Sequence, residues 1–145
     1  MGYYSDVGLA MYKKDFEDML KFFKKESKDA YDTWTCADDY QLFENRKDAS
    51  NPVILARIYS TKWYNEFPEV IYTQDYLNSC EDKEIEYQFI RLGEDLDDND
   101  EQYFGDLWEY CGIVRDIQPD ISPKLTGNYS QIFNEVSLAN INEII

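Results

Sequence analysis

Val53-Ile54-Leu55-Ala56-Arg57-Ile58-Tyr59 is the most apolar β-type run in the chain, and the fold turns on reading it as a central strand. A polar turn over residues 45–52 precedes it. Before that turn, residues 32–45 are rich in Trp, Thr, Tyr and Phe, and they predict a second strand with Cys36 and Ala37 near its middle. Residues 13–28 carry Phe16, Met19, Leu20 and Phe23 at i, i+3, i+4, i+7, which is the period of an amphipathic helix. Lys21, Lys24, Lys25 and Lys28 crowd the end of that segment, where cations suit the negative end of the helix dipole. The period drops to two over residues 3–12, which predicts a first strand with Val7, Leu9 and Met11 inward.

On the other side of the central run, Asn65-Glu66-Phe67-Pro68 marks a helix start, with Asn65 or Glu66 at the cap and Pro68 in the first turn. That helix is expected to reach about Ser79 and to bury Val70, Ile71, Tyr72 and Leu77. Residues 85–92 predict a fourth strand, and residues 108–117 a fifth that ends before Pro119. Ile132, Phe133, Val136, Leu138, Ile141 and Ile144 predict a C-terminal helix from Tyr129. The order β-α-β-β-α-β of the first six elements predicts an α+β, ferredoxin-like fold: an antiparallel sheet with both helices on one face, extended by a C-terminal strand and helix. The expected organisation is one α+β domain over residues 1–117, with a linker (118–128) and helix in residues 118–145 belonging to the same body.

A chain of 145 residues with 43% apolar and 17% aromatic residues can bury a single core, and it is too rich in Tyr, Trp and Phe to be an acidic disordered segment. Its formal charge of −16 therefore has to sit on the outside of a packed fold. That charge argues against direct binding of nucleic acid or an anionic membrane, because phosphate contacts need cations. It points instead to a basic partner. The charge is also unevenly placed. Residues 1–28 hold six Lys against five acids, net +1, and the remainder holds 25 acids against eight bases, net −17.

The acid is densest in Gly93-Glu94-Asp95-Leu96-Asp97-Asp98-Asn99-Asp100-Glu101. Between Leu92 and Gly112 there are eight carboxylates and neither Lys nor Arg. This run reads as a loop held at the end of the fourth strand. Its candidate contact residues for a partner are Glu94, Asp95, Asp97, Asp98, Asp100, Glu101 and Asp106, with Tyr103 and Trp108 as aromatic anchors beside Phe104. Asp95, Asp97, Asn99 and Asp106 match a calcium loop poorly, since Asp100 stands where glycine is needed, so no metal and no cofactor is assigned.

The chain contains no histidine, which removes Ser-His and Cys-His pairs, imidazole acid–base chemistry and His-containing zinc sites. It has no P-loop, no G-x-G-x-x-G and no G-x-S-x-G, so no catalytic residue is assigned and a non-enzyme is expected. Cys36, Cys80 and Cys111 fit no zinc or redox spacing and read as small buried hydrophobes. With no apolar leader and no run of transmembrane length, the expectation is a cytoplasmic protein, monomeric or homodimeric.

Three segments, Tyr3-Tyr4-Ser5-Asp6-Val7, Lys62-Trp63-Tyr64 with Phe67-Pro68-Glu69-Val70, and Phe89-Ile90-Arg91-Leu92-Gly93-Glu94-Asp95-Leu96-Asp97-Asp98, resemble a family of small proteins encoded by bacteriophages and prophages. The resemblance covers residues 3–98 and brings no assigned biochemical activity. It implies a bacterial host cell as the setting. There, a small acidic protein is expected to block a defence nuclease, a CRISPR effector or restriction enzyme, by occupying its basic nucleic-acid channel as a DNA mimic. The alternatives are a phage adaptor or structural protein binding through Trp63, Tyr64 and Phe67 or its C-terminal helix, and a divalent-metal-binding module.

Overall fold

The computed structural model describes residues 2–107. Eight elements follow one another: β1 (Ser5–Tyr12), α1 (Lys13–Glu26), α2 (Lys28–Thr35), β2 (Asp39–Phe43), β3 (Val53–Thr61), α3 (Pro68–Cys80), β4 (Tyr87–Leu92) and β5 (Asn99–Phe104). The strands make one antiparallel sheet in the order β2-β3-β1-β4-β5. The described residues are thus α+β, with three helices and a five-stranded antiparallel sheet. None of the described helices is long and apolar enough to cross a membrane.

The alternation of β1 sends Val7, Leu9 and Met11 to the helix side, where Leu9 lies between Ala56 of β3 and Phe89 of β4. All three helices bring their apolar stripes there: Phe16, Met19, Leu20 and Phe23 from α1, Ala30 and Trp34 from α2, and Val70, Tyr76, Leu77 and Cys80 from α3. Trp34 is fully buried, meets Trp63 edge-on with ring centroids 6.0 Å apart, and donates its indole N–H to Thr73 Oγ1 at 2.9 Å. The opposite sheet face is apolar too. Ala10, Tyr12, Val53, Leu55 and Ile90 form a second buried cluster with Leu107.

Several expectations need correction. The strand expected over residues 32–45 is two elements, α2 and then β2. The backbone of Ser27 is extended (φ −154°), which ends α1, and its hydroxyl accepts from the Ala30 N–H to start α2. Trp34 and Ala30, four apart, then share the face that meets the core, so packing overrides the β preference of Trp and Thr. In α3 the residues at helical spacing, Val70, Thr73, Tyr76, Leu77 and Cys80, are buried, whereas Ile71 and Tyr72, off that stripe, are 43% and 36% exposed. Cys80 is buried and its thiol pushed up to about 11 by desolvation, but Cys36 is exposed. The acidic run is not a loop throughout, since its second half is strand β5. The expected fifth strand (108–117), linker (118–128), C-terminal helix and Cys111 lie outside the described residues.

Thr73→Val removes the acceptor for a fully buried indole N–H and is expected to cost about 1–3 kcal/mol of unfolding free energy. Thr73→Ser should keep most of it. Urea denaturation of the two variants makes the comparison.

Candidate functional site

β4 and β5 form a hairpin, with Leu92 opposite Asn99, Arg91 opposite Asp100 and Tyr87 opposite Phe104. At its tip the Gly93 N–H donates to the Asp98 carbonyl at 2.8 Å, and the Asp98 N–H to the Asp95 carbonyl at 3.0 Å. Gly93 is needed for space: a Cβ there would run into the Asp98 carboxylate and the Tyr3 hydroxyl.

Six acids between Gly93 and Glu101 repel one another, and Arg91 is the cation that lets them fold together. Its Nη2 donates to Asp98 Oδ1 at 2.7 Å and its Nε to Asp100 Oδ2 at 2.8 Å. Nη1 reaches Ser5 Oγ at 3.0 Å and Asp98 Oδ2 at 3.4 Å. Only 14% of the Arg91 side chain is exposed, so these contacts are partly shielded from water and salt.

The start of the chain supplies the second clamp. The Tyr3 hydroxyl donates to Asp98 Oδ2 at 2.5 Å and accepts from the Asp95 N–H at 3.2 Å. The Tyr4 N–H donates to Glu94 Oε2 at 2.6 Å, and the Tyr3 N–H to the Tyr64 hydroxyl at 2.8 Å. Lys62 Nζ stands over the Tyr4 ring at 5.9 Å. Hydrogen bonds from Arg91 and then Tyr3 hold the Asp98 carboxyl below the usual carboxylate range. The same bond to Asp98 raises the Tyr3 hydroxyl above the usual phenol range. At neutral pH the pair is therefore a fixed carboxylate acceptor and phenol donor.

Beside the hairpin opens a polar cleft of about 520 Å³. Tyr3, Trp63 and Tyr64 line it together with Asn65, Glu66, Arg91, Asp98 and Asp100. Trp63 is largely committed to the core, 8% exposed with its ring 5.9 Å from that of Phe89, and Phe67 packs on Tyr64 at 5.1 Å. The aromatic docking patch expected from Trp63, Tyr64 and Phe67 is thus mostly used inside the protein.

The candidate acids fall into separate groups. Glu94, Asp95 and Asp97 are exposed at the hairpin tip, with Glu94 tied to the Tyr4 backbone. Asp98 and Asp100 turn toward the cleft and are held by Arg91. Glu101 and Tyr103 are exposed on the other face of β5, Tyr103 by 61%. Asp106 lies beyond β5, where its N–H donates to Glu86 Oε1 at 2.9 Å, about 20 Å of strand away from the tip. Trp108 is outside the described residues. Among the described residues no group of three or more Asp, Glu or Cys side chains is placed to hold a metal ion.

The sequence reading assigns no site role to Arg91, Tyr3 or Ser5, and it names Tyr64 only as an aromatic contact beside Trp63 and Phe67. A signal for Arg91 was present: it is a cation in a strand immediately followed by a turn and an acidic segment of strand length, which in hairpin register sets it against an acid. Nothing local marked Tyr3, because its partner Asp98 is 95 residues away. Comparison with protein-family models, curated proteins and solved structures found no match.

The folded Asp98 value lies below the unfolded one, so its contribution is complete above about pH 4 and is lost as pH falls through the folded value. Asp98→Asn is expected to lower the melting temperature at pH 7 and to flatten its decline between pH 5 and pH 2. Parallel thermal melts of the two proteins across that range test this. Tyr3 has the opposite sign: its contribution is complete below about pH 10 and lost above.

Proposed function

We propose that this is a phage-encoded, non-enzymatic inhibitor that occupies the basic nucleic-acid channel of a host defence nuclease with its acidic hairpin. The observation that carries the reading is a division of labour among the carboxylates. Asp98, Asp100 and Glu94 are consumed in fixing the hairpin, while Asp95, Asp97 and Glu101 are exposed and their side chains make no bond to another described residue that competes with a partner. Exposed like charges on a pre-fixed backbone can meet Lys and Arg side chains without first paying the ordering entropy of a loop. Complementary potential of this kind speeds encounter and selects the partner more than it adds affinity.

The fold-level reading has support of its own. β1 lies between β3 and β4, the helices occur in the β1-to-β2 and β3-to-β4 connections, and all three pack on one face. That arrangement supports a ferredoxin-like core to which α2 and β5 are additions. Nucleic-acid-binding domains with a four-stranded sheet stack bases on exposed aromatics. The negative charge here favours a protein partner over that use.

The test is capture of a host nuclease on the immobilised full chain, with duplex DNA as competitor. The reading expects retention at low salt, release between about 50 and 200 mM salt, displacement by DNA, and loss of capture on Asp95→Lys/Asp97→Lys/Glu101→Lys. Equal retention by that triple variant, with its fold intact by circular dichroism, overturns the reading. Salt-tolerant retention would favour the adaptor alternative.

A further inference from the structure

The cleft beside the hairpin is rich in hydrogen-bond acceptors and short of cations. Three carboxylates line it, Glu66, Asp98 and Asp100, against the one guanidinium of Arg91, so its formal charge is −3 + 1 = −2. That guanidinium is already engaged by Asp98 and Asp100, which leaves no lining cation to hold an anion. The acceptors are not all used. Asp100 Oδ2 receives the Arg91 Nε–H, but Asp100 Oδ1, both Glu66 oxygens and the Asn65 side-chain carbonyl accept no hydrogen bond from another described residue.

Size and composition narrow the occupant. A volume of about 520 Å³ is more than ten times the share of one water, about 30 Å³, so it admits a whole side chain and not merely an ion. The free acceptors come from two segments, the connection between β3 and α3 and the strand β5. A donor that serves both has to spread its N–H groups. A guanidinium carries five in one plane, whereas an ammonium concentrates three at a point. The guanidinium is also the more weakly hydrated of the two and packs well on aromatic faces, and Tyr3, Trp63 and Tyr64 are all lining residues. These groups are held in advance. The Tyr64 hydroxyl accepts from the Tyr3 N–H at 2.8 Å and its ring packs on Phe67, and Arg91 fixes the Asp100 carboxylate, so little ordering is left to be done on binding.

We infer that this cleft takes one arginine side chain of the partner, with Glu66 and Asp100 receiving its guanidinium beside Tyr64. The inference rests on the partner being a basic protein, as proposed above, and adds which of its side chains is recognised and where. The exposed acids of the hairpin then attract the partner, and the cleft fixes its register.

The experiment is a titration of the isotope-labelled full chain at low salt with N-acetyl-arginine methylamide, followed by NMR at the backbone amides and the Trp63 indole. The expected result is saturable movement of the Trp63, Tyr64, Glu66 and Asp100 signals with a dissociation constant of about 1–10 mM, the range of a single side chain. The lysine analogue should bind several-fold more weakly. Glu66→Gln, which removes a carboxylate that no other described side chain uses, should weaken arginine binding about 2–5-fold. Glu44→Gln, the same change of charge just beyond β2, should not. Movement confined to residues 94–97, equal affinity for the two analogues, no saturable binding, or unchanged binding by Glu66→Gln with its spectrum otherwise intact each overturns the inference. Because the probe is not a nuclease, the result is separate from the capture test: capture without arginine binding removes only this inference, and arginine binding without capture removes only the hairpin reading.

Discussion

Arg91 is the interaction on which the acidic end of the molecule depends. It lies on the strand before the acidic run and takes one carboxylate from the turn and one from the strand beyond, so a segment that should repel itself closes into a hairpin. Two carboxylates around one partly buried guanidinium leave a local charge of −1, which the Tyr3 O–H offsets by donating to Asp98, while the Ser5 hydroxyl oxygen accepts from Arg91 Nη1 and helps to orient the guanidinium. A charge-assisted bond is worth more than a neutral one, and more again when it is partly shielded. Removing Arg91 would leave Asp98 and Asp100 facing each other without a cation, so the loss would exceed that of one ordinary surface ion pair.

The same cluster ties the two ends of the described chain together. β1 is the middle strand, and the residues just before it, Tyr3 and Tyr4, reach across to the β4–β5 turn. Between the Ser5–Thr61 and Val7–Ile58 pairs β3 has one residue more than β1, a bulge in β3 where Ser60 takes a positive φ of 52°, and the Asp6 carboxylate opposite accepts from the Ser60 N–H at 2.8 Å. Bulges sharpen local twist and re-aim side chains. Here the bulge adjoins Ser5, whose hydroxyl meets Arg91. Cleft, hairpin and central strand are thus one mechanical unit, and the cleft wall is assembled from parts of the chain that are far apart in sequence.

What could be read from the sequence divides by the range of the forces involved. The period-two pattern of Val7, Leu9 and Met11, the helical spacing of Phe16, Met19, Leu20 and Phe23, and the apolar run from Val53 all state locally which face is buried, and all occur as read. Where β propensity and packing compete, the local signal misleads: Trp34 and Thr35 favour strand in isolation but complete a helix that buries Trp34 against Thr73 and Trp63. The acidic run was legible as charge but not as structure. Strand β5 begins with four polar residues, Asn99 to Gln102, and its acidic half forms because β4 offers backbone partners and Arg91 offers a cation, both of which are properties of the neighbour. The involvement of Tyr3 with Asp98 had no local trace at all.

The central claim is that the acidic segment is a fixed surface and not a solvated loop. Amide hydrogen exchange of the full chain at neutral pH, read residue by residue over β5, tests it most directly. The account predicts that the β5 amides bonded to β4 exchange at least about 100-fold more slowly than an unstructured peptide, as cooperative opening of a few kcal/mol requires, and that Arg91→Met abolishes most of that protection while β1 keeps its own. Exchange over residues 99–104 at the unstructured rate in the unaltered protein would contradict it.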